Sequence, residues 1–98
     1  MKRPRLATAI EIEEWCREHP SWTASNNRLS LSIAVPYRLS GALAAATVPL
    51  ADEIDHHPIV TIGYNSLEVE LWTHDKGGIT ALDFRLATFI DEFLAARR

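Results

Sequence analysis

The stretch Ile59-Val-Thr-Ile-Gly-Tyr-Asn-Ser-Leu67-Glu-Val-Glu-Leu-Trp-Thr73 sets the fold class. Two runs rich in β-branched and apolar residues, Ile59 to Tyr64 and Leu67 to Thr73, flank Asn65-Ser66, and that arrangement reads as a β-hairpin. In the second run Leu67, Val69 and Leu71 fall on one face, and Glu68, Glu70, Trp72 and His74 on the other. A period of two with one oily face describes a strand covered on one side only. A turn at Asn65-Ser66 pairs residues whose numbers sum to about 131, which sets His74 opposite His57.

Upstream, Leu29, Leu31, Ile33 and Val35 alternate in the same way, and Trp22 to Ser25 precedes them across Asn26-Asn27. Asparagine tolerates left-handed backbone, so a second hairpin is expected there. Between the hairpins, Ser40 to about Asp55 turns helical: Leu43, Thr47, Leu50 and Ile54 recur on one face in Ala-rich company. Pro49 interrupts that run, and a helix-interior proline costs on the order of 3 kcal/mol. A kinked helix or two shorter pieces is the expectation.

Helices also bracket the chain. Thr8-Ala-Ile-Glu11 fits a capping box ahead of Ile12, Trp15 and Cys16, and His19-Pro20 closes that helix. After a turn at Gly77-Gly78, Thr80-Ala-Leu-Asp83 is a second capping box, opening an amphipathic run through Leu86, Phe89, Ile90, Phe93 and Leu94. The order is αββαββα: an α+β domain whose antiparallel sheet carries helices on one face. No repeat or linker divides residues 1–98, so a single domain is expected.

Composition removes several function classes. Ten Lys and Arg against thirteen Asp and Glu leave a net charge of −3, which argues against binding nucleic acid through its phosphates. The single cysteine, Cys16, cannot form an intrachain disulfide and points to a reducing, cytoplasmic setting. The N-terminus meets Glu11, Glu13 and Glu14 before any apolar stretch, unlike a secretory signal. No run approaches the roughly 18 apolar residues of a membrane span.

The chemistry concentrates in His56, His57 and His74, with Asp52, Asp55, Asp75 and Asp83 nearby. Imidazole titrates near neutrality, so three of them beside carboxylates suit general acid–base work. Asp52 and His56 are four residues apart and share a helix face if the helix persists, so that the carboxylate orients the ring. His57 precedes Pro58 and is biased to extended backbone. Plainer explanations stand beside each. A His-His pair at a helix C-terminus is favoured by the dipole; Asp83 is accounted for by its capping box; Trp72 serves as a packing residue or as an aromatic wall. His19 reads as a helix-end residue. Zinc held by the three imidazoles, or by two and a carboxylate, is a rival, although neighbouring histidines in extended chain point to opposite faces.

The set Asp52-Glu-Ile-Asp-His56-His57-Pro58, Gly63-Tyr64-Asn65 and Trp72-Thr73-His74-Asp75-Lys-Gly77-Gly78-Ile-Thr80-Ala-Leu-Asp83-Phe84 resembles the pterin-4a-carbinolamine dehydratases. The likeness is densest from Asp52 to about Ile90 and thins toward the N-terminus. It implies a four-stranded antiparallel sheet, homodimers or homotetramers, and loss of water from a 4a-hydroxytetrahydropterin to give the quinonoid dihydropterin. It also implies that neither metal nor organic cofactor is used. On this resemblance His56, His57 and His74 take the places of the catalytic histidines, and Asp83 that of a carboxylate opening the last helix. Asp52, Asp55, Trp72, Thr73 and Asp75 fall where the family contacts its pterin. Three departures stand out: Asp52 where the family usually has Glu, Pro49 within the second helix, and Ile33, Val35 and Leu43, beside the aromatic Tyr37, where aromatic residues are common. Relatives on this fold also act without catalysis, as a dimerisation cofactor of a homeodomain protein or as Rubisco assembly chaperones, and that is the alternative expectation.

Overall fold

In the computed structural model, which describes residues 4–97, the elements run α1 (Ala9–Glu18), β1 (Trp22–Ser25), β2 (Arg28–Ile33), α2 (Tyr37–Glu53), β3 (Ile59–Gly63), β4 (Ser66–Leu71), a 3-10 turn (His74–Lys76) and α3 (Ala81–Arg97). The strands form one antiparallel sheet in the order β1-β2-β4-β3. The α+β class and the αββαββα order are as expected.

Alternation explains the sheet. Leu29 sits opposite Leu71, Leu31 opposite Val69 and Ile33 opposite Leu67. Successive side chains point to opposite faces, so this register puts every apolar residue of both central strands on one side. Leu29, Leu31, Leu67, Val69 and Leu71 are all buried, joined by Trp22 from β1, Leu43 from α2, and Leu86, Ile90 and Leu94 from α3. Each buried leucine contributes about 1.5–3 kcal/mol by leaving water. The opposite face of β4 carries Glu68 and Glu70. The Trp22 indole N–H, taken into this core, donates to Asp91 Oδ1 at 2.9 Å.

The caps behave as their sequences dictate. Thr8 Oγ1 accepts from the Glu11 N–H, and Glu11 Oε1 accepts from the Thr8 N–H. Arg5 grips the same carboxylate, and its hydrogen bonds, with that of Thr8, push Glu11 down to about 2. Asn26 (φ 53°) and Asn27 (φ 62°) are both left-handed, as a type I′ hairpin turn requires.

Two expectations need correction. The second hairpin turns at Tyr64-Asn65, with Gly63 opposite Ser66 and Ile59 opposite Glu70. The register therefore slips by two residues from the expected one. A two-residue slip preserves the faces, which is why the apolar pattern could not detect it. It does remove His74 from a position opposite His57: β4 ends at Leu71, and His74 opens the 3-10 turn instead.

The second correction concerns α2, where the two-piece alternative is excluded: one continuous helix runs from Tyr37 to Glu53 with Pro49 inside it. Pro49 has no N–H to give and lies in the last third of the helix, where surrounding contacts tolerate the lost bond. The buried stripe is Ser40, Leu43, Thr47 and Ala51, while Leu50 is only half-buried and Ile54 is buried as the C-cap. Thr47 bonds back to the Leu43 carbonyl at 2.8 Å. Ser40 Oγ is fully buried and has no hydrogen-bond partner among the described residues. A buried, unsatisfied hydroxyl costs about 1–3 kcal/mol. Ser40→Ala is therefore expected to raise stability by about 1 kcal/mol, seen as a rise of several degrees in Tm by circular dichroism. A lower Tm would show that the hydroxyl is satisfied in solution.

Candidate active site

The end of α2 aims the first two histidines. Ile54 caps the helix, and Asp55 at φ 50° takes the left-handed position that follows it. The Asp55 N–H bonds to Asp52 O, and the His56 N–H reaches back to Ala51 O at 2.9 Å. This is a Schellman closure, with aspartate where glycine or asparagine is commoner. The reversal turns His56 into the domain and leaves His57 on the surface ahead of Pro58 and β3.

The consequence is an exchange of partners. His56 Nε2 meets Asp83 Oδ1 at 2.5 Å, whereas His57 Nε2 meets Asp52 Oδ1 at 3.0 Å. The expected Asp52–His56 pairing along one helix face is thus corrected: the helix stops before it can form, and Asp52 orients His57 instead. His56 and Asp83 are 6% and 0% exposed, but His57 and Asp52 are 57% and 69% exposed. A pair so open to water is worth well under 1 kcal/mol. Asp52→Ala is expected to leave stability unchanged within about 0.5 kcal/mol by urea denaturation, and a loss above 1 kcal/mol would contradict that exposure argument.

Asp83 does more than cap α3. Its Oδ2 accepts from the Thr80 N–H and from the Thr73 hydroxyl, both at 2.9 Å, while Oδ1 faces His56. Thr80 Oγ1 accepts from the Leu82 N–H at 3.2 Å and lies 2.7 Å from Thr73 Oγ1. Capping and orientation of the imidazole, rival explanations from sequence, are served by the same carboxylate.

The third histidine arrives by a different device. Thr73 and Gly78 pair as an isolated bridge, with Gly77 left-handed at φ 69° between them. That closure carries the 3-10 turn holding His74 and Asp75, both exposed. The His74 carbonyl accepts from the Gly77 N–H at 3.1 Å, and among the described residues its ring makes no hydrogen bond. Trp72, half-buried just after β4, has the Arg28 guanidinium 4.0 Å over its ring, and Arg28 also bonds Glu70 at 3.2 Å.

Asp55, His56, His57, Trp72, His74 and Asp75 together line one cleft of 260 Å³. Six of the nine residues singled out from sequence form its wall. Of the other three, Asp83 and Thr73 lie buried behind His56, and Asp52 stands outside, where His57 also borders a second cleft against Val48, Pro58 and Val60. The 480 Å³ groove beside Cys16 and Ile12 and the 510 Å³ groove beside Phe84 and Phe89 contain no histidine. Among the described residues no three His, Cys, Asp or Glu side chains are grouped so as to hold a metal ion. Sequence reasoning missed Thr80 and Arg28 as neighbours of the site. Thr80 was visible as half of a capping box, whereas nothing in the pattern marks Arg28.

Fold and cleft together define a small α+β domain with imidazoles gathered beside its central sheet. Residues 5–93 match the family model described as pterin 4 alpha carbinolamine dehydratase, and the chain belongs to that family. A relative from Chloroflexus aurantiacus, provisionally named a pterin-4-alpha-carbinolamine dehydratase, is 40% identical over 96 residues, covering 93% of this chain and 98% of its own. A Sulfurisphaera tokodaii protein of the same provisional name is 38% identical over 88 residues, covering 89% and 95%. A crystal structure of a transcriptional coactivator/pterin dehydratase from Brucella melitensis superposes with a TM-score of 0.84 at 25% identity, covering 91% of this chain and 98% of that one. Among the described residues no helix is long and apolar enough to cross a membrane.

Proposed function

We propose that this chain dehydrates a 4a-hydroxytetrahydropterin to the quinonoid dihydropterin, using its histidines as general acid and base. The observation that carries this reading is the gathering of His56, His57 and His74, with Trp72, around a single 260 Å³ cleft. Family membership supports the reaction class.

The chemistry asks for two proton movements. The C4a–O bond breaks with the electron pair going to oxygen, so an acid must protonate it for water to leave. The N5–H bond breaks with its pair forming C4a=N5, so a base must take that proton. We assign the acid to His56 or His57 and the base to His74. Imidazoles are suited to both tasks because either form is accessible near neutral pH. Asp55, Trp72 and Asp75 on the wall contact the pterin, Trp72 by stacking on the flat bicycle. Asp52 acts through His57, and Thr73 through Asp83.

Titrating ¹⁵N-labelled protein with a stable dihydropterin tests where substrate binds. Shift changes should centre on Asp55, His56, His57, Trp72, His74 and Asp75. Changes centred on the groove between α1 and the β1–β2 hairpin would overturn the assignment.

Self-association belongs to the same proposal. β3 is an edge of the sheet, and Ile59, Val48 and Tyr64 are 47%, 55% and 92% exposed. Unpaired edges with apolar side chains favour pairing between copies. Sedimentation should give two or four times the chain mass, and a monomer at micromolar concentration would remove this part. The same exposed residues favour a second reading, a binding protein on this fold, and the Brucella melitensis neighbour is described as a transcriptional coactivator/pterin dehydratase. That reading predicts pterin dehydration no faster than in buffer.

A further inference from the structure

We infer that Thr73 and Thr80 are positioning residues that fix the tautomer of His56, leaving Nδ1 as its proton-exchanging atom toward the cleft. The rate consequence rests on the proposed dehydratase reading; the tautomer itself does not.

Hydrogen accounting leads there. The Thr80 hydroxyl already accepts the Leu82 N–H, so its own hydrogen is available for Thr73 Oγ1 at 2.7 Å. Thr73 Oγ1, receiving that bond, directs its hydrogen to Asp83 Oδ2 at 2.9 Å. The Thr80 backbone N–H donates to the same oxygen. Both neighbours of Oδ2 are therefore donors, and that side of the carboxyl group has only acceptor work. Oδ1 faces a single group, His56 Nε2 at 2.5 Å. In a site with no exposed carboxylate surface, Asp83 accepts on both oxygens and Nε2 carries the hydrogen.

The orientation of the chain matters. Were Thr73 turned the other way, donating to Thr80, Oδ2 would face a lone pair and the carboxyl group would have a reason to hold a proton. The Leu82 N–H, fixed in the first turn of α3, makes that direction the poorer one, since Thr80 Oγ1 would then accept twice and leave its own hydrogen without a listener. A backbone donor thus sets the direction of three successive hydrogen bonds ending at an imidazole. With Nε2 committed, Nδ1 is the ring nitrogen left to exchange a proton, and no described residue bonds it. His56 lines the cleft.

Long-range ¹H–¹⁵N spectra of the histidine rings read the tautomer directly in the free protein. Neutral His56 should be a single species protonated at Nε2 in the wild type. Thr73→Val, close in shape but without the hydroxyl, should shift His56 to mixed tautomers, and Thr73→Ser should restore the wild-type pattern. In the dehydration assay Thr73→Val should lower kcat by about 10- to 100-fold with KM within about twofold, and the serine variant should recover most of it. A wild-type His56 protonated at Nδ1 would overturn the inference without any variant. So would a Thr73→Val protein whose tautomer is unchanged, whatever its rate. Wild-type protein with the expected tautomer but no dehydratase activity would instead remove the functional reading and leave the relay standing.

Discussion

Asp83→Asn is expected to keep the fold and lose most of the activity. The amide has the shape of the carboxylate, but one of its two ends is a donor. Its oxygen is required where Thr73 and the Thr80 N–H donate, since two donors already point there. The NH2 group then confronts His56 Nε2 at the place where Oδ1 accepted. Two donors cannot face each other at that distance, so the ring must give up its Nε2 hydrogen and carry it on Nδ1. Wrong-tautomer substitutions of this kind behind a catalytic histidine can reduce kcat by about 10⁴-fold. We expect a loss between about 10² and 10⁴, with a stability loss of about 1–3 kcal/mol from one weakened buried bond. Stopped-flow rates and urea denaturation read the two effects separately. Activity within a few-fold of wild type would show that His56 needs no fixed tautomer.

His74→Ala is the complementary case, because almost nothing but chemistry is at stake. His74 is exposed on the 3-10 turn, and its ring makes no hydrogen bond among the described residues. Removing it leaves no cavity and strands no partner, so the Tm should hold within about 0.5 kcal/mol equivalent. As the proposed base, its loss should lower kcat by about 100-fold or more. The same change at His57, also exposed and paired with an exposed Asp52, should be as harmless to stability. Comparing the two single variants with the double variant apportions the acid and base steps. If His74→Ala turned over at the wild-type rate, the base would have to be sought elsewhere in the cleft.

These contrasts show which parts of the molecule were legible in the chain. The sheet was readable because Leu29, Leu31, Leu67, Val69 and Leu71 alternate strictly, and alternation is a direct image of which face is buried. Both helix starts were readable because their hydrogen bonds are local: the Thr8 box is complete, and at Thr80 the Asp83 half forms while Thr80 Oγ1 takes the Leu82 N–H. The two-residue slip of the β3–β4 hairpin was not, because turn geometry sets it and the faces are indifferent to it. The continuity of α2 through Pro49 was hidden for a related reason: packing along Ser40, Leu43, Thr47 and Ala51 outweighs one missing bond, and packing is not local. The three histidines were found as a cluster, yet their partners were misassigned. The Asp52–His56 pairing required the helix to persist through His56, and a left-handed Asp55 ends it first. That single residue decides which imidazole is buried on Asp83 and which stays outside with Asp52.

Under the proposed function, the three imidazoles around this cleft dehydrate a 4a-hydroxytetrahydropterin. Generating that carbinolamine chemically, adding catalytic amounts of the wild-type protein, and following quinonoid dihydropterin by absorbance tests it most directly. Formation should accelerate in proportion to protein concentration, and the acceleration should fall by about 100-fold with His74→Ala. A wild-type rate indistinguishable from buffer would contradict the account.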